Sequence, residues 1–465
     1  MSIATARRSR LADQIPLVRV PPHQRIVLAN GVAVVVMPRP EIPLIAFSAI
    51  LRGGVMGDPP GKTGLASLTA GLLERGAGAR DFLAFAQTVE GAGGSFLAAA
   101  GHEAISVGGQ FLSHDQDLLL SLLADALTTP RFEPAELELL RARQIEQIKA
   151  LKDSDPSELL PSYGRALLFG EHLYGRSVIG SEASLARITH ADVVSYAARE
   201  IGANRLTLIF VGDLDASALI DSATRLFGTW RRAPSPALPV PEPPLLPGRR
   251  VLLVDAPDST QAYFWIGSRG VDKQFPQRAA LDIANTLFGG RFTSMLNSEL
   301  RMKSGLSYDA KSGFARGSKS GEFSIRSYAE TDKAVQAIDL TLGTLAHLKR
   351  QGVTREQLES SQTYLLGQFP LGLETSADWA AALGEIELYH LGLPYIEGYG
   401  PALRQVRLAD AARVIRQVFP DPDDIAMVLI GDAARLREAA RRYGTVAEMK
   451  LTDPEFFWQV VVPAR

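Results

Sequence analysis

Two hydrophobic periodicities alternate along the chain. Runs of apolar, β-branched residues bounded by Gly and Pro predict strands at 32–36, 44–51, 94–99 and 104–111. Apolar positions at helical spacing predict helices near 63–75, 81–91, 115–128, 133–150, 156–168, 276–288, 331–350, 354–368 and 375–392. Runs of strands alternating with runs of helices are typical of an α+β fold, a mostly antiparallel sheet with helices packed mainly on one face.

The pattern occurs twice in the chain. Three pairs of segments match at a nearly constant offset of about 216 to 219 residues, which indicates duplication: 46–54 with 262–270, 64–73 with 279–289, and 206–213 with 426–432. Between the halves, residues 231–249 are so rich in proline that they predict an extended, semi-rigid linker. We therefore expect two duplicated α+β domains, 1–230 and 250–465.

Composition and charge narrow the function classes. The chain has 49 basic and 51 acidic side chains, a net charge of −2, so it lacks the positive field that non-specific nucleic-acid binding needs. It has no cysteine, so any metal must be held by His and carboxylate groups. No apolar run is long enough to span a membrane. We expect a cytoplasmic protein, or a periplasmic one if an export signal precedes this sequence.

Two local motifs do not support an obvious chemistry. Residues 54–63 resemble a phosphate-binding loop, but Met56 stands where the loop needs glycine and two prolines remove backbone donors. We expect a turn there, with Thr63 as the N-cap of the next helix. None of the seven histidines pairs with another at i,i+4. Glu387 and His390 form the tightest local pair, which we interpret as hydrogen-bonded at a surface or interface.

The opening of the chain resembles the insulinase/pitrilysin (M16) family of inverted zinc peptidases. The resemblance rests on Asn30-Gly31-Val32, on the strand that ends at Arg52-Gly53, and on Gly64-Leu65-Ala66. In that family Gly-Leu-Ala leads into His-x-x-Glu-His, two zinc ligands around a general base. The matching positions here begin at Ser67, and the expected general base and second histidine are replaced by Ala70 and Gly71.

This degenerate motif predicts that the chain binds no zinc and does not hydrolyse peptides alone. A hydroxyl and a glycine cannot replace two imidazoles, and Ala70 cannot take a proton from a metal-bound water. Glu146 falls in the window where the family places its third ligand. One carboxylate is not a zinc site, so we interpret Glu146 as a helix-surface residue.

The second half resembles the segment in which the family carries an Arg/Tyr pair. The match is most specific at Glu299-Leu300-Arg301 followed by Gly305-Leu306-Ser307-Tyr308. By resemblance, Arg301 and Tyr308 bind substrate near the scissile carbonyl. We expect Arg301 to end a helix and Tyr308 to begin the next strand, so that both reach one rim. The alternative is that Arg301 caps a helix and Tyr308 is a half-buried strand aromatic.

The resemblance implies a LuxS/metallohydrolase-like fold and a division of labour between two chains. The chain would be the zinc-free subunit of a heterodimer, and zinc would sit in a His-x-x-Glu-His homologue. Peptides would be enclosed between the subunits, with the linker as a hinge. Two alternatives remain: a structural protein of the same fold, and a peptide-binding module that uses a free edge strand near Gly94-Ser95-Phe96.

Overall fold

The computed structural model of the chain describes residue 15, residues 17–234 and residues 239–456. The first half contains strands β1 to β6: Gln24–Val27, Ala33–Pro38, Leu44–Arg52, Ser95–Ala100, Ala104–Leu112 and Leu206–Gly212. The second half contains β7 to β12: Arg250–Asp255, Gln261–Gly270, Ala310–Arg316, Gly321–Glu330, Ala426–Gly431 and Thr445–Lys450. In the described part, no helix is long and apolar enough to cross a membrane.

The helices follow the same division. Helices α1 to α8 of the first half are Leu65–Leu72, Phe82–Gly91, Gln116–Thr128, Pro134–Ser154, Leu160–Phe169, Glu182–Ala186, His190–Glu200 and Ala216–Phe227. Helices α9 to α17 of the second half are Arg278–Phe288, Met295–Asn297, Ala334–Gln351, Arg355–Leu371, Ser376–Tyr389, Pro394–Glu397, Tyr399–Gln405, Leu408–Val418 and Ala433–Ala440. The helix predicted at 156–168 begins later, because Pro156–Leu159 form a 3-10 turn ahead of α5.

Each half builds one six-stranded sheet. The strand order is β1-β2-β6-β3-β5-β4 in sheet 1 and β12-β7-β11-β8-β10-β9 in sheet 2. Five strands correspond between the sheets, and in both the first of these five is parallel to its neighbour in the shared strand order (β2 with β6, β7 with β11). The outer strand on that side breaks the symmetry, since β1 is antiparallel to β2 whereas β12 is parallel to β7. The predicted α+β fold with two duplicated, mostly antiparallel sheets is confirmed.

Alternation along the central strands gives each sheet two buried faces. On β3, Phe47 and its alternate neighbours join the core beneath the first half's own helices, whereas Ala46 and Ile50 face the opposite side. That opposite face is covered by a helix from the other half: α13 packs Trp379, Leu383 and Ile386 against sheet 1. A sheet with one exposed face would have alternated between apolar and polar positions.

The exchange is reciprocal. Helix α5 of the first half lies on sheet 2, where the fully buried Trp265 of β8 meets Gly164. Helices α5 and α13 begin at Leu160 and Ser376, the same offset that relates the duplicated segments. Helices therefore cover both faces of each sheet, one face by helices of its own half and the other by a helix of the opposite half. The prediction of helices mainly on one face did not include this second layer. A hinge motion at 231–249 would separate this shared core, so the expected hinge role of the linker does not fit the structure.

Polar contacts also hold the two halves together at the surface where they meet, which we call the junction. Arg25 makes two hydrogen bonds to Glu387, at 2.8 and 3.0 Å, and Arg52 donates to the Glu387 carbonyl and contacts His390 at 2.7 Å. Glu387 and His390 therefore lie at the interface between the halves, one of the two predicted settings. In the described residues their hydrogen bonds go to Arg25 and Arg52 and not to each other. On the other side, Arg165 of α5 binds the buried Glu322 of β10.

The end of the described chain crosses back to the first half. Lys152 donates to the carbonyl of Asp453, and the Ala183 N–H donates to the carbonyl of Pro454. The Phe456 ring packs edge-on against Tyr163, with the centroids 5.0 Å apart. These contacts fix the second half to α4, α5 and α6 of the first half.

Candidate functional site

The helix at the family's zinc window, α1, is capped in an unexpected way. Its N-cap residue is Gly64, at φ 97°, which has no side chain to accept a hydrogen bond from the first turn. The Asp58 carboxylate instead accepts the N–H groups of Gly64 and Ala66, at 2.9 and 2.8 Å. The prediction that Thr63 caps this helix is wrong. Burial raises the pKa of Asp58 to about 7, although its hydrogen bonds and the nearby Arg176 oppose the rise.

The face of α1 that carries Ser67 and Gly71 packs against α4. A Cβ atom at Gly71 would lie 2.8 Å from Leu140 Cδ2, so the leucine occupies the space that a side chain at position 71 would need. Gln144, one turn further along α4, lies 3.4 Å from the Ser67 hydroxyl. Apolar and amide groups therefore fill the space beside α1.

Glu146 does not face this space. It lies half a turn from Gln144 around α4, is exposed, and pairs with Lys149 at 2.8 Å. Ser67, Ala70 and Gly71 supply no imidazole or carboxylate, and in the described residues no group of three His, Asp or Glu side chains could hold a metal ion. The residues present do not fit a catalytic zinc ion, so the chemistry of this chain must be sought elsewhere.

Arg301 and Tyr308 lie side by side in the second half. Arg301 belongs to a π-helical segment, Ser298–Lys303, and its Nη1 donates to the Tyr308 carbonyl at 2.9 Å. Its guanidinium also lies 4.9 Å from the centre of the Phe292 ring. Single turns of π-helix are rare and are often found at functional sites.

The surroundings of Tyr308 differ from both expectations. Tyr308 lies in the loop before β9 rather than at the start of that strand, and its side chain is 75% exposed rather than half-buried. Phe292, which contacts Arg301, and Met302, which follows Arg301 in the chain, are also exposed, at 60% and 51%. In the part of the chain that the structure describes, no carboxylate forms an ion pair with Arg301. The result is an aromatic, cationic surface around Arg301, which we call the Arg301 surface.

The Tyr174-Gly175-Arg176 segment has a structural role that the sequence did not indicate. The Tyr174 hydroxyl donates to Glu103 at 2.7 Å, and the same carboxylate oxygen accepts the Ser318 N–H at 2.9 Å. Residue 103 lies at the tip of the β4–β5 hairpin and residue 318 at the tip of the corresponding β9–β10 hairpin. The two tips thus meet across the junction. Their matching positions in the repeat were the signal that could have predicted this contact.

A cavity of about 320 Å³ lies where these hairpins meet. His102 lines it, and burial lowers the pKa of its imidazole to about 4, so the ring is neutral and donates from Nε2 to the Arg176 carbonyl at 3.1 Å. The Arg165–Glu322 pair, which joins the two halves, also lines the cavity. Polar groups that line the cavity have hydrogen-bond partners in both halves. The cavity is therefore part of the interface between the halves.

Two family models match the chain in succession. Residues 46–182 match the model described as insulinase (peptidase family M16), and residues 187–365 match the one described as peptidase M16 inactive domain. An uncharacterized zinc protease of Mycobacterium leprae is 26% identical over 365 residues, 78% of this chain and 82% of that protein. An uncharacterized zinc protease of Bacillus subtilis is 23% identical over 414 residues, 89% of this chain and 99% of the relative.

Solved structures share the fold. The peptidase M16 inactive domain from Pseudomonas fluorescens superposes with a TM-score of 0.81 at 24% identity, covering 88% of this chain and 98% of that one. A protease from Helicobacter pylori superposes with a TM-score of 0.83 at 20% identity, covering 89% of this chain and 100% of that one. With the two family models covering more than half of its length in order, the chain belongs to the M16 (insulinase) peptidase family.

Proposed function

We propose that this chain is the non-catalytic subunit of a two-chain M16-type peptidase. Its Arg301 surface would contact the peptide substrate at a zinc site held by a second family member that carries His-x-x-Glu-His. The observation that carries the proposal is the exposed Arg301, which has no ion-pair partner among the described residues and is held beside the exposed Tyr308. The chain's own zinc window is filled by Leu140 and Gln144.

The geometry around Arg301 suits recognition of a carbonyl group. A guanidinium has five N–H donors, and Nη1 is occupied by the Tyr308 carbonyl, which leaves other donors for a ligand. The Phe292 ring and the Tyr308 carbonyl both contact the guanidinium and hold it in place. Donors held in advance at a position where a carbonyl becomes an oxyanion typically lower the barrier by about 3 kcal/mol each.

The filled zinc window supports the assignment to a non-catalytic subunit. Zinc would require two imidazoles at positions 67 and 71 and a carboxylate on the facing side of α4. Leu140 and Gln144 stand on that side, and the nearby carboxylate of Glu146 points away from it. The partner is therefore expected to supply both the metal and the general base.

The test is reconstitution with homologues from the same genome that retain His-x-x-Glu-His. Each homologue is co-purified with this chain, zinc per complex is measured, and hydrolysis of quenched fluorescent peptides is followed. We expect the chain alone to be inactive and the mixture to be active. Arg301→Ala should then lower kcat by about 10²-fold, Arg301→Lys should rescue it only in part, and Tyr308→Phe should lower it less.

Lys303→Ala is the matched control. Lys303 lies on the same π-helical segment, is exposed, and pairs with Glu299, so its loss should leave kcat unchanged. Failure of all such homologues to bind this chain, or full activity of the Arg301→Ala complex, would contradict the proposal.

A further inference from the structure

The cavity of about 320 Å³ at the junction is built by four elements, two from each half. The tips of the β4–β5 and β9–β10 hairpins line it through Glu103 and Gly317. The ends of the exchanged helices α5 and α13 line it through Phe169 and Tyr389. Pockets that hold small ligands usually measure about 300–1,000 Å³ and are common where domains meet. The position and volume of this cavity therefore suit a small ligand.

Three groups on the cavity wall have donors that the described residues do not use. Arg165 binds Glu322 through Nε and Nη2, and no described residue accepts from its Nη1. The hydroxyls of Ser106 and Tyr389 have no hydrogen-bond partner in the described part of the chain. Burial raises the pKa of Tyr389, so its hydroxyl keeps its proton and can donate. A guanidinium with two hydroxyls is a donor set that suits a carboxylate.

The same wall has two unused acceptors. The neutral ring of His102 donates from Nε2, so its Nδ1 has a free lone pair, and no described residue donates to it. Glu103 accepts from the Tyr174 hydroxyl and from the Ser318 N–H with Oε1 alone. Within the described ranges its Oε2 accepts no hydrogen bond. An imidazole nitrogen and a carboxylate oxygen suit the N–H groups of an ammonium ion.

The charges of the wall cancel, which limits the net charge of a ligand. Two cations and two anions line the cavity: Arg165, Arg316, Glu103 and Glu322. Behind the wall, Asp282 is shared by Arg316 and Arg278, so the balance continues outward. A ligand with a net charge would remain uncompensated in this half-buried place. A ligand with one positive and one negative end matches both the balanced wall and its unused donors and acceptors.

The rest of the wall is apolar or has no side chain. Phe169 and Leu388 lie at the ends of the two exchanged helices, and alanines and glycines of the hairpins leave the space between them open. A short apolar side chain can be removed from water there. An ammonium group, a carboxylate and a short apolar side chain together describe a free α-amino acid.

We propose that the junction cavity binds a free α-amino acid with a short apolar side chain. Its carboxylate accepts from Arg165, Ser106 and Tyr389. Its ammonium group donates to Glu103 and His102. Because both halves supply contacts, the bound amino acid stabilises the folded chain by mass action. The site is separate from the Arg301 surface and needs no partner subunit.

The test is isothermal titration calorimetry of the isolated full chain with L-leucine, L-valine and L-alanine as probes. We expect at least one of them to bind with a Kd below about 1 mM and to raise the Tm of the chain. The analogues of the bound amino acid that lack one charge, its amide and its deaminated acid, should each bind at least about tenfold more weakly.

Variants of the wall separate ligand binding from folding. Ser106→Ala and Tyr389→Phe should each weaken binding about fivefold. Neither should change the urea midpoint of the ligand-free chain, because these hydroxyls have no partner among the described residues. Arg165→Lys keeps a cation beside Glu322 but loses the free guanidinium donors, so it should weaken binding at least about tenfold.

Tyr364→Phe is the matched control, because Tyr364 lies on α12, away from the cavity, and is 39% exposed. It should bind the amino acid like the native chain. Absence of binding by all three amino acids would show that the cavity holds only water and would overturn the proposal. Equal binding of the singly charged analogues, or unchanged affinity in both Ser106→Ala and Tyr389→Phe, would also overturn it. None of these outcomes bears on the proposed peptidase subunit, since no partner is present.

Discussion

Replacing Trp265 tests whether the two halves fold as one unit. The side chain lies on β8 of the second half, is fully buried, and packs against α5 of the first half. A buried tryptophan removes roughly 200 Å² from water, which at about 25 cal/mol per Å² is worth about 5 kcal/mol. Among the described residues its Nε1 has no hydrogen-bond partner, and losing this orphaned donor recovers about 1 kcal/mol. We therefore expect Trp265→Ala to cost about 4 kcal/mol.

The assay is urea unfolding combined with residue-resolved hydrogen exchange. Because the core around Trp265 includes residues of both halves, amides in β6 of the first half should lose as much protection as amides in β10 of the second. Trp265→Phe removes the unpaired N–H but keeps an aromatic ring, so its cost should stay below about 1.5 kcal/mol. Leu83→Ala, at a side chain that is 62% exposed, is the negative control.

One result would refute this reasoning. If Trp265→Ala weakened protection in β10 and left β6 as in the native chain, the halves would unfold independently. The exchanged helices would then be surface contacts rather than parts of a common core.

Three further predictions follow from individual contacts. Gly164→Ala should destabilise the chain in urea titrations, because its Cβ would lie 2.6 Å from the rigid Trp265 ring. Gly384→Ala should be nearly neutral, because the only close approach of its Cβ is to the flexible Ile50 Cδ1. Equal losses of stability in the two variants would contradict this prediction. Restoring the zinc motif with Ser67→His, Ala70→Glu and Gly71→His should still give less than one zinc per chain by mass spectrometry, because among the described residues the facing side of α4 presents Leu140 and Gln144 instead of a carboxylate, and Glu146 points away. Burial raises the pKa of Asp58 from 3.8 to about 7, so the folded chain holds a proton that the unfolded chain releases, and stability falls as the pH rises through that range. Asp58→Asn removes the titrating group but keeps an acceptor for only one of the Gly64 and Ala66 N–H groups, so it should lower stability and flatten this slope between pH 3.8 and about pH 7. An unchanged slope would show that another group is responsible.

Much of the fold could be predicted because its signals are local. Strand alternation, helical spacing and the repeat at a constant offset depend on neighbouring residues, and they predicted two duplicated α+β halves. The degenerate motif at Ser67, Ala70 and Gly71 could also be identified, because ligand chemistry depends on residue type. Errors arose where a distant group intervenes: Asp58 rather than Thr63 caps α1, and the segment around Tyr308 forms a loop rather than a strand.

The sequence by itself determined the fold class, the duplication, the loss of the zinc ligands and the presence of Arg301 and Tyr308. Only the tertiary structure decided that α5 and α13 are exchanged between the halves, that Glu146 points away from α1, and that the ends of the exchanged helices meet the hairpin tips at one cavity. The physical reason is that apolar periodicity shows which face of an element is buried but not what buries it. The partner of a buried face or a polar side chain is chosen by packing between segments far apart in the chain.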